Sequence, residues 1–437
     1  MHYLSTRGQA PPTTLSAAIL AGLAPDGGLY VPSQIPHFPI AYFDGAHGHA
    51  AIAARTLAPW FAGDALAGAL DAMCSAAFDI ELSLKHSADP HTQFLELIHG
   101  PTAAFKDFGA RFLAQCFARL RAVDAPLVTM LVATSGDTGS AVAAAFHRMP
   151  GLRVLILYPE GRVSPRQAHQ LGCFGDNVRA LRVTGEFDDC QRLVKQAFAD
   201  QSLRQTTPLA SANSISLGRL LPQITYYADA ALANQRAGNP PLNLIVPSGN
   251  LGNAFAALLA RAMGLPIEQI VLATNANDVV PAWLASGHYV AQAAQPTLAN
   301  AMDVGDPSNA ERLRWLYPDF AELTAALAAH SVDDDEIRRA IIEAPTRHGL
   351  IVCPHTACAL VVRERLRGSD PGRQWCVVAT AHPAKFESIV EPLIGHPVAL
   401  PGPLAAMLAR ASHAEPMAND YRPLRAQLVR PAQPSPN

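Results

Sequence analysis

Five short stretches limit what this chain can fold into more than anything else in it: PLVTMLVAT near 126–134, RVLILY at 153–158, LNLIVP at 242–247, IVLAT at 270–274 and WCVVAT at 375–380. Each is apolar at consecutive positions instead of alternating, so each has two faces to bury. Strands of that kind belong inside parallel sheets covered by helices. The segments between them have helical spacing. FDDCQRLVKQAFA puts Cys190, Leu193, Val194, Ala197 and Phe198 on one stripe, and DFGARFLAQCFARL repeats apolar positions at Phe108, Phe112, Cys116 and Leu120. Strand and helix patterns in alternation predict an α/β architecture.

Residues 1–85 read as a separate N-terminal region, in which GLAPDGGLYVP is a turn followed by a short strand, and an alanine-rich helical stretch runs from about Ala50 to Ala77. The main α/β body spans 86–395. Within it, a block from about 300 to 350, including AELTAALAAH and DDDEIRRAIIEA, is helical, with Asp333 to Asp335 supplying acidic residues at a helix start. Residues 396–437 form a tail rich in proline and alanine, with disorder expected near its end.

A formal net charge of -3 with scattered basic residues gives no footprint for nucleic acid or an anionic membrane. Small molecules are the expected partners. No apolar run is long enough to span a membrane, and MHYLSTRGQAPPTTL lacks the apolar core of a signal peptide, so a cytoplasmic location is expected. Seven cysteines without a C-x-x-C pair make no disulfide framework. Cys353 and Cys358 in CPHTAC flank His355, but a closed structural site needs four convergent ligands, and no metal site is expected.

Lys106 lies between Ala103, Ala104 and Phe105 on one side and Phe108 on the other. A lysine normally keeps its head in water, since burying the ammonium is costly unless it is paired or neutral. Two of the apolar strands run into glycine-containing loops that open alanine-rich helices, VATSGDTGSAVAAAF and IVPSGNLGNAFAALLA. Unpaired N–H groups at a helix start can receive a phosphate or carboxylate, and glycine lets the backbone come close. Neither loop is a nucleotide fingerprint. Two anion-receptive loops and a lysine in apolar surroundings suit a cofactor with a phosphate and an aldehyde, such as pyridoxal phosphate, and a substrate with a carboxylate. A lysine of pKa about 10.4 is almost wholly protonated at neutral pH, and desolvation by up to roughly 3 to 5 units frees its amine.

The motifs GPTAAFKDFG, ATSGDTGSAV, SANSISLGRLLPQ, VPSGNLGN, ATNANDVVP, NAMDVGDPSN and ATAHPAKF, with the opening YLSTRG and GLAPDGGLYVP, resemble the threonine synthase family. These are pyridoxal-phosphate enzymes of the tryptophan-synthase-β-like fold (fold type II), and the likeness runs in order from about residue 3 to 395. The resemblance implies that Lys106 is the Schiff-base lysine and the proton shuttle at the substrate Cα. It implies that Gly249, Asn250, Leu251, Gly252 and Asn253 hold the cofactor phosphate and that the Thr380 hydroxyl faces the pyridine nitrogen, tuning the ring less strongly than a carboxylate would. Ser135, Asp137 and Thr138 become candidates for the substrate carboxylate, with Asp137 alternatively on the ring-oxygen side. Arg162, Ser164 and Asn213, in PEGRVSPRQ and SANSIS, become candidates for the substrate phosphate. Leu251 and Asn253 stand where relatives often have Phe and Asp, and Asn253 then removes a negative charge near the cofactor phosphate. His355 reads as a structural helix-start residue, and Arg219 is left open between the substrate phosphate and a structural ion-pair role for the helix beginning near Ser216.

The implied reaction converts O-phospho-L-homoserine and water to L-threonine and phosphate by γ-elimination and β-addition of water, the last step of threonine biosynthesis. Water must be excluded and then admitted once, so a mobile subdomain is expected at about 130–210. The rival readings are a phospho-lyase or dehydratase on the same fold, an NAD oxidoreductase, and a non-catalytic binding protein.

Overall fold

The computed structural model describes residues 1–122 and 124–430. All five apolar runs are strands: Val128–Ala133, Leu152–Pro159, Leu242–Pro247, Ile267–Thr274 and Trp375–Ala379. What their composition leaves open is which pair with which. Two sheets result. The six-stranded sheet runs Ala328–Ser331, Ile267–Thr274, Leu242–Pro247, Trp375–Ala379, Thr92–Glu96, Ser83–His86. It is parallel except for Ser83–His86, which lies antiparallel at one edge. The five-stranded sheet is parallel throughout, in the order Glu415–Met417, Val178–Val183, Leu152–Pro159, Val128–Ala133, Leu209–Ala210.

The helical readings at 107–120 and 187–199 correspond to Lys106–Leu120 and Phe187–Ala199. The second buries Cys190, Leu193, Val194 and Ala197 against Leu155, Leu157 and Leu181 of the smaller sheet. Two expectations need correction. The Ala50–Ala77 stretch is two helices, His49–Leu57 and Leu70–Ala77, separated by 3-10 turns that begin beside Pro59. In the 300–350 block, the helix Phe320–Ala326 stops and Ala328–Ser331 becomes a strand, because its backbone finds a ladder partner on Val271–Thr274. Helix Asp334–His348 does start on an acidic capping box, Asp333 with Glu336.

The tail is built into the fold up to residue 430. Residues Gly402–Leu408 and Tyr421–Val429 are helices, and Glu415–Met417 adds an edge strand to the smaller sheet. Leu424 and Leu428 are buried in that sheet's core, and the Arg153 guanidinium donates to the carbonyls of Leu428 and Arg430. The end where disorder was expected, 431–437, lies outside the described residues. The N-terminal region pairs Tyr3–Ser5 with Tyr30–Pro32 and is tied to the body by buried Arg312, which donates to Tyr30 O and Ile215 O. Among the described residues no helix is long and apolar enough to cross a membrane.

Candidate active site

In a parallel sheet the carboxyl ends of the strands share one edge, and the loops leaving that edge make the binding crevice. Trp375–Ala379 is flanked by Leu242–Pro247 and Thr92–Glu96, so the loops at 97–105, 248–252 and 380–386 meet. They are stitched together: Phe105 N donates to Thr380 O at 2.9 Å, and His382 N to Ala103 O at 2.9 Å. Ala103 holds a left-handed φ of 57°, which turns the chain so that Lys106 opens its helix at this edge.

Lys106 is half-buried, with Nζ 5.8 Å from the Phe105 ring centroid. Burial lowers its pKa to about 8; Asp137 pulls upward, while Arg219 and Lys385 add to the lowering. The apolar neighbours noted in the sequence therefore help keep part of the amine unprotonated near neutral pH.

Residues 248–254 form a cradle. Leu251 takes a left-handed φ of 62°, held there by its buried side chain, and helix Gly252–Ala262 begins immediately after it. The first helical bond is Phe255 N to Leu251 O, and the N–H groups of Gly249 through Ala254 reach no acceptor among the described residues. Gly249 passes the neighbouring loop so closely that a Cβ would sit 2.7 Å from Met302 Cα. Asn250 does not point into the cradle; it accepts from Ser308 N, donates to Ser214 Oγ at 2.7 Å, and so fixes the loop. Asn253 differs from expectation. Its Oδ1 accepts from Tyr226 Oη at 2.5 Å and Tyr227 Oη at 2.8 Å, on the core side of the helix. Its Nδ2 is buried without a partner among the described residues, and its lack of charge matters to the tyrosines.

Thr380, buried at the end of its strand, makes no side-chain hydrogen bond among the described residues. The SGDTG loop enters from the smaller sheet. Thr134 Oγ1, a residue the sequence reading passed over, accepts from Gly136 N at 3.0 Å and Gly139 N at 2.9 Å. Gly136 has φ 125°, and a Cβ there would meet Gln167 Nε2 at 2.6 Å. Ser135 and Thr138 are half-buried on this loop.

Asp137 is fully buried and paired. Its Oδ1 lies 2.8 Å from Lys385 Nζ and accepts from Gln167 Nε2 at 3.1 Å. Burial pushes the carboxyl up, but Lys385, Lys106 and His355 outweigh that and hold it well below the usual carboxylate range. Lys385 Nζ also donates to Thr102 O at 2.8 Å. Lys385 stands within ATAHPAKF, so the motif was visible, but its side chain's direction was not.

The three residues offered for a substrate phosphate diverge. Arg162 is turned outward, half-exposed, and paired with Glu186 at 3.2 Å; only its carbonyl faces the crevice, accepting from Asn300. Ser164 caps helix Pro165–Gly172 and gives its hydroxyl proton to Lys385 O. Asn213 Oδ1 is buried with no partner. Asn300, unforeseen, reaches from the larger unit to Ser135 O at 3.3 Å. His355, in the first turn of Pro354–Ser369, accepts from Ala301 N at 3.1 Å and is lowered to about 4 by burial, with Lys106 and Lys385 also lowering it and Asp137 opposing. Arg219 has no ion-pair partner among the described residues; its Nη1 donates to Ala212 O at 2.6 Å and its Nε is buried with no partner. Cys353 and Cys358 are both buried in the apolar core, where Cys358 Sγ donates to Pro354 O.

Comparison with known proteins covers most of the chain. The family described as pyridoxal-phosphate dependent enzyme matches residues 95–381, threonine synthase N terminus matches 2–78, and threonine synthase C-terminal matches 356–427. A threonine synthase from Haemophilus influenzae is 39% identical over 422 residues, covering 95% of this chain and 97% of the relative. The crystal structure of threonine synthase from Escherichia coli superposes with a TM-score of 0.91 at 36% identity, covering 98% of this chain and 99% of that one. A pyridoxal-phosphate-bound threonine synthase from Brucella melitensis gives 0.87 at 34% identity, covering 98% of each.

Proposed function

The chain belongs to the threonine synthase family of pyridoxal-phosphate-dependent enzymes, and from that membership we propose how its own residues turn O-phospho-L-homoserine and water into L-threonine and phosphate. The fit of the cofactor to this crevice is supported by three features: a half-buried amine at Lys106, a run of backbone N–H groups without acceptors at 249–254, and the unengaged hydroxyl of Thr380. Lys106 would hold the cofactor through its amine, the cradle its phosphate, and Thr380 its ring nitrogen. When bound, pyridoxal phosphate supplies a carbonyl for the substrate amine and an electron sink for charge released at Cα and Cβ.

The remaining work falls to the protein. Lys106, with a pKa of about 8, can take the Cα proton and return one near neutral pH. The hydroxyls of Ser135 and Thr138 and the free N–H groups of their loop receive the substrate carboxylate. Asp137 is a poor partner for that carboxylate, because like charges repel; its place is beside Lys385. Asn213, whose buried amide oxygen has no partner, is the candidate for the substrate in the 211–216 turn.

The proposed organisation is an N-terminal region to about residue 85, a catalytic body, and a smaller unit of about 130–210 completed by Glu415–Met417, which closes to exclude water. Support comes from an apolar cluster of its own on one face of its sheet and from polar fastenings to the body through Asp137, Ser164 and Arg166; the other face, with Met130, Val132 and Val154, shares the main core. Seven buried, unpaired cysteines support a reducing, cytoplasmic setting.

The observation that carries the reading is the acceptor-free amide run on the strand-end edge that also presents Lys106. The test is to supply purified protein with pyridoxal phosphate and O-phospho-L-homoserine and assay threonine and phosphate together. Equal amounts are expected; a keto acid with ammonia would favour the phospho-lyase reading. Lys106→Ala should lose both cofactor absorbance and turnover.

A further inference from the structure

The helix that carries Lys106 starts at Phe105 without a capping side chain. Just before it, Ala103 holds a left-handed φ of 57°, a conformation disfavoured for a residue with a Cβ. This turn needs a brace, because a lysine that takes a proton from Cα and returns one has to stand in one place. The brace is the residue that follows the lysine. Asp107 is buried, and its carboxylate reaches back over the turn, accepting from Thr102 N at 2.8 Å on Oδ2 and from Thr102 Oγ1 at 2.7 Å on Oδ1.

Donors and acceptors match in number. A carboxylate has two acceptor oxygens and no proton to place, and Thr102 presents two donors. A buried carboxylate is costly unless hydrogen bonds satisfy it, so the pair favours this shape of the turn over others. Gly100 leaves the room, since a Cβ there would overlap Asp107 Oδ2. The carbonyl of Thr102 serves other partners, accepting from Lys385 Nζ at 2.8 Å and from Gln170 Nε2 at 3.4 Å. Gln170 belongs to helix Pro165–Gly172 of the smaller unit. Thr102 is thus tied both to the helix of Lys106 and to the unit that carries the SGDTG loop.

We propose that Asp107 is a positioning residue for the reaction: by holding Thr102 it fixes where the Lys106 amine stands relative to the substrate Cα and to the loop that receives the substrate carboxylate. It acts through Thr102 and the turn, not by contact with the reacting atoms. This rests on the reading of Lys106 as the amine that holds the cofactor and moves the Cα proton.

The first measurement uses cofactor-free protein and follows amide hydrogen exchange over residues 100–105 by mass spectrometry. Asp107→Ala should speed exchange there by roughly tenfold or more. Asp107→Asn, whose amide can accept from Thr102 N and donate to Thr102 Oγ1, should stay within about threefold of wild type. The second measurement uses holoenzyme and L-norvaline, which has no leaving group. It follows loss of the Cα proton to deuterated water by NMR, and affinity by cofactor absorbance. In Asp107→Ala the Cα exchange per bound cofactor should fall roughly 30- to 100-fold, since a displacement of about 1 Å costs on the order of a hundredfold, while affinity for L-norvaline changes less than about threefold. Asp107→Asn should recover to within about fivefold of wild type. Thr102→Val keeps the N–H and the shape but loses the hydroxyl; it should lie between the two and keeps the test open if Asp107→Ala does not fold. Unchanged Cα exchange in Asp107→Ala would overturn the proposal. So would Asp107→Asn as slow as Asp107→Ala, or Thr102→Val equal to wild type in both measurements. Wild-type holoenzyme that exchanges no Cα proton would refute the reading of Lys106 itself, whereas the cofactor-free measurement tests the brace independently.

Discussion

The amine of Lys106 should titrate near pH 8 in the cofactor-free protein, against 10.5 for an unperturbed lysine. That lowering corresponds to about 3 kcal/mol. At pH 7 about a tenth of such amines are neutral, against about three in ten thousand for an ordinary lysine. Capture of pyridoxal phosphate by apoprotein should therefore be some 300-fold faster than an unperturbed amine allows. The assay is stopped-flow absorbance of cofactor uptake between pH 6 and pH 10. The rate should climb about tenfold per unit below pH 8 and level off above it. The same shift has a stability counterpart. Between the folded and unfolded values the unfolded chain binds more protons, so apoprotein stability should rise as pH climbs from about 8 towards 10.5 and be lost as pH falls through 8. That rise should be absent in Lys106→Met. A rate that keeps climbing past pH 10 would refute the argument that desolvation sets this amine's chemistry.

Gly249→Ala places a methyl 2.7 Å from Met302 Cα, a backbone atom that cannot step aside; it should weaken cofactor binding by tenfold or more in equilibrium titrations, whereas Gly252→Ala, whose nearest neighbour is 3.6 Å away, should load with cofactor far better. Asn253→Leu removes the acceptor shared by the Tyr226 and Tyr227 hydroxyls and should cost about 2 kcal/mol in chemical denaturation; an unchanged midpoint would show that the tyrosines find other acceptors. Ending the chain after Ala411 deletes strand Glu415–Met417, helix Tyr421–Val429 and the carbonyls held by Arg153. It should expose the core of the smaller sheet and lead to aggregation, read by light scattering.

Much of the fold can be read from local pattern because its cause is local. The runs at 128–133 and 375–379 carry apolar side chains on both faces, and any parallel sheet covered by helices satisfies them. Asp333 caps its helix through Glu336 three residues on, which needs no distant partner. The glycine loops and Lys106 were legible for the same reason. The errors arose where a remote segment decided the outcome. Residues 328–331 have helix-compatible composition and became a strand because Val271–Thr274 offered a ladder. The composition of the tail did not reveal that Glu415–Met417 would find an edge on Val178–Val183.

The sequence by itself determined the alternation of buried strands and helices, the lysine at a helix start, and two loops with amides to offer an anion, since each depends on spacing within a few residues. The tertiary structure alone decided which charges face the crevice. Arg162 went to the surface beside Glu186, while Lys385 was drawn inward to Asp137, from a segment far along the chain. The direction of a long charged side chain is set by the desolvation and partners it meets once two sheets have packed, and neither exists before the chain folds.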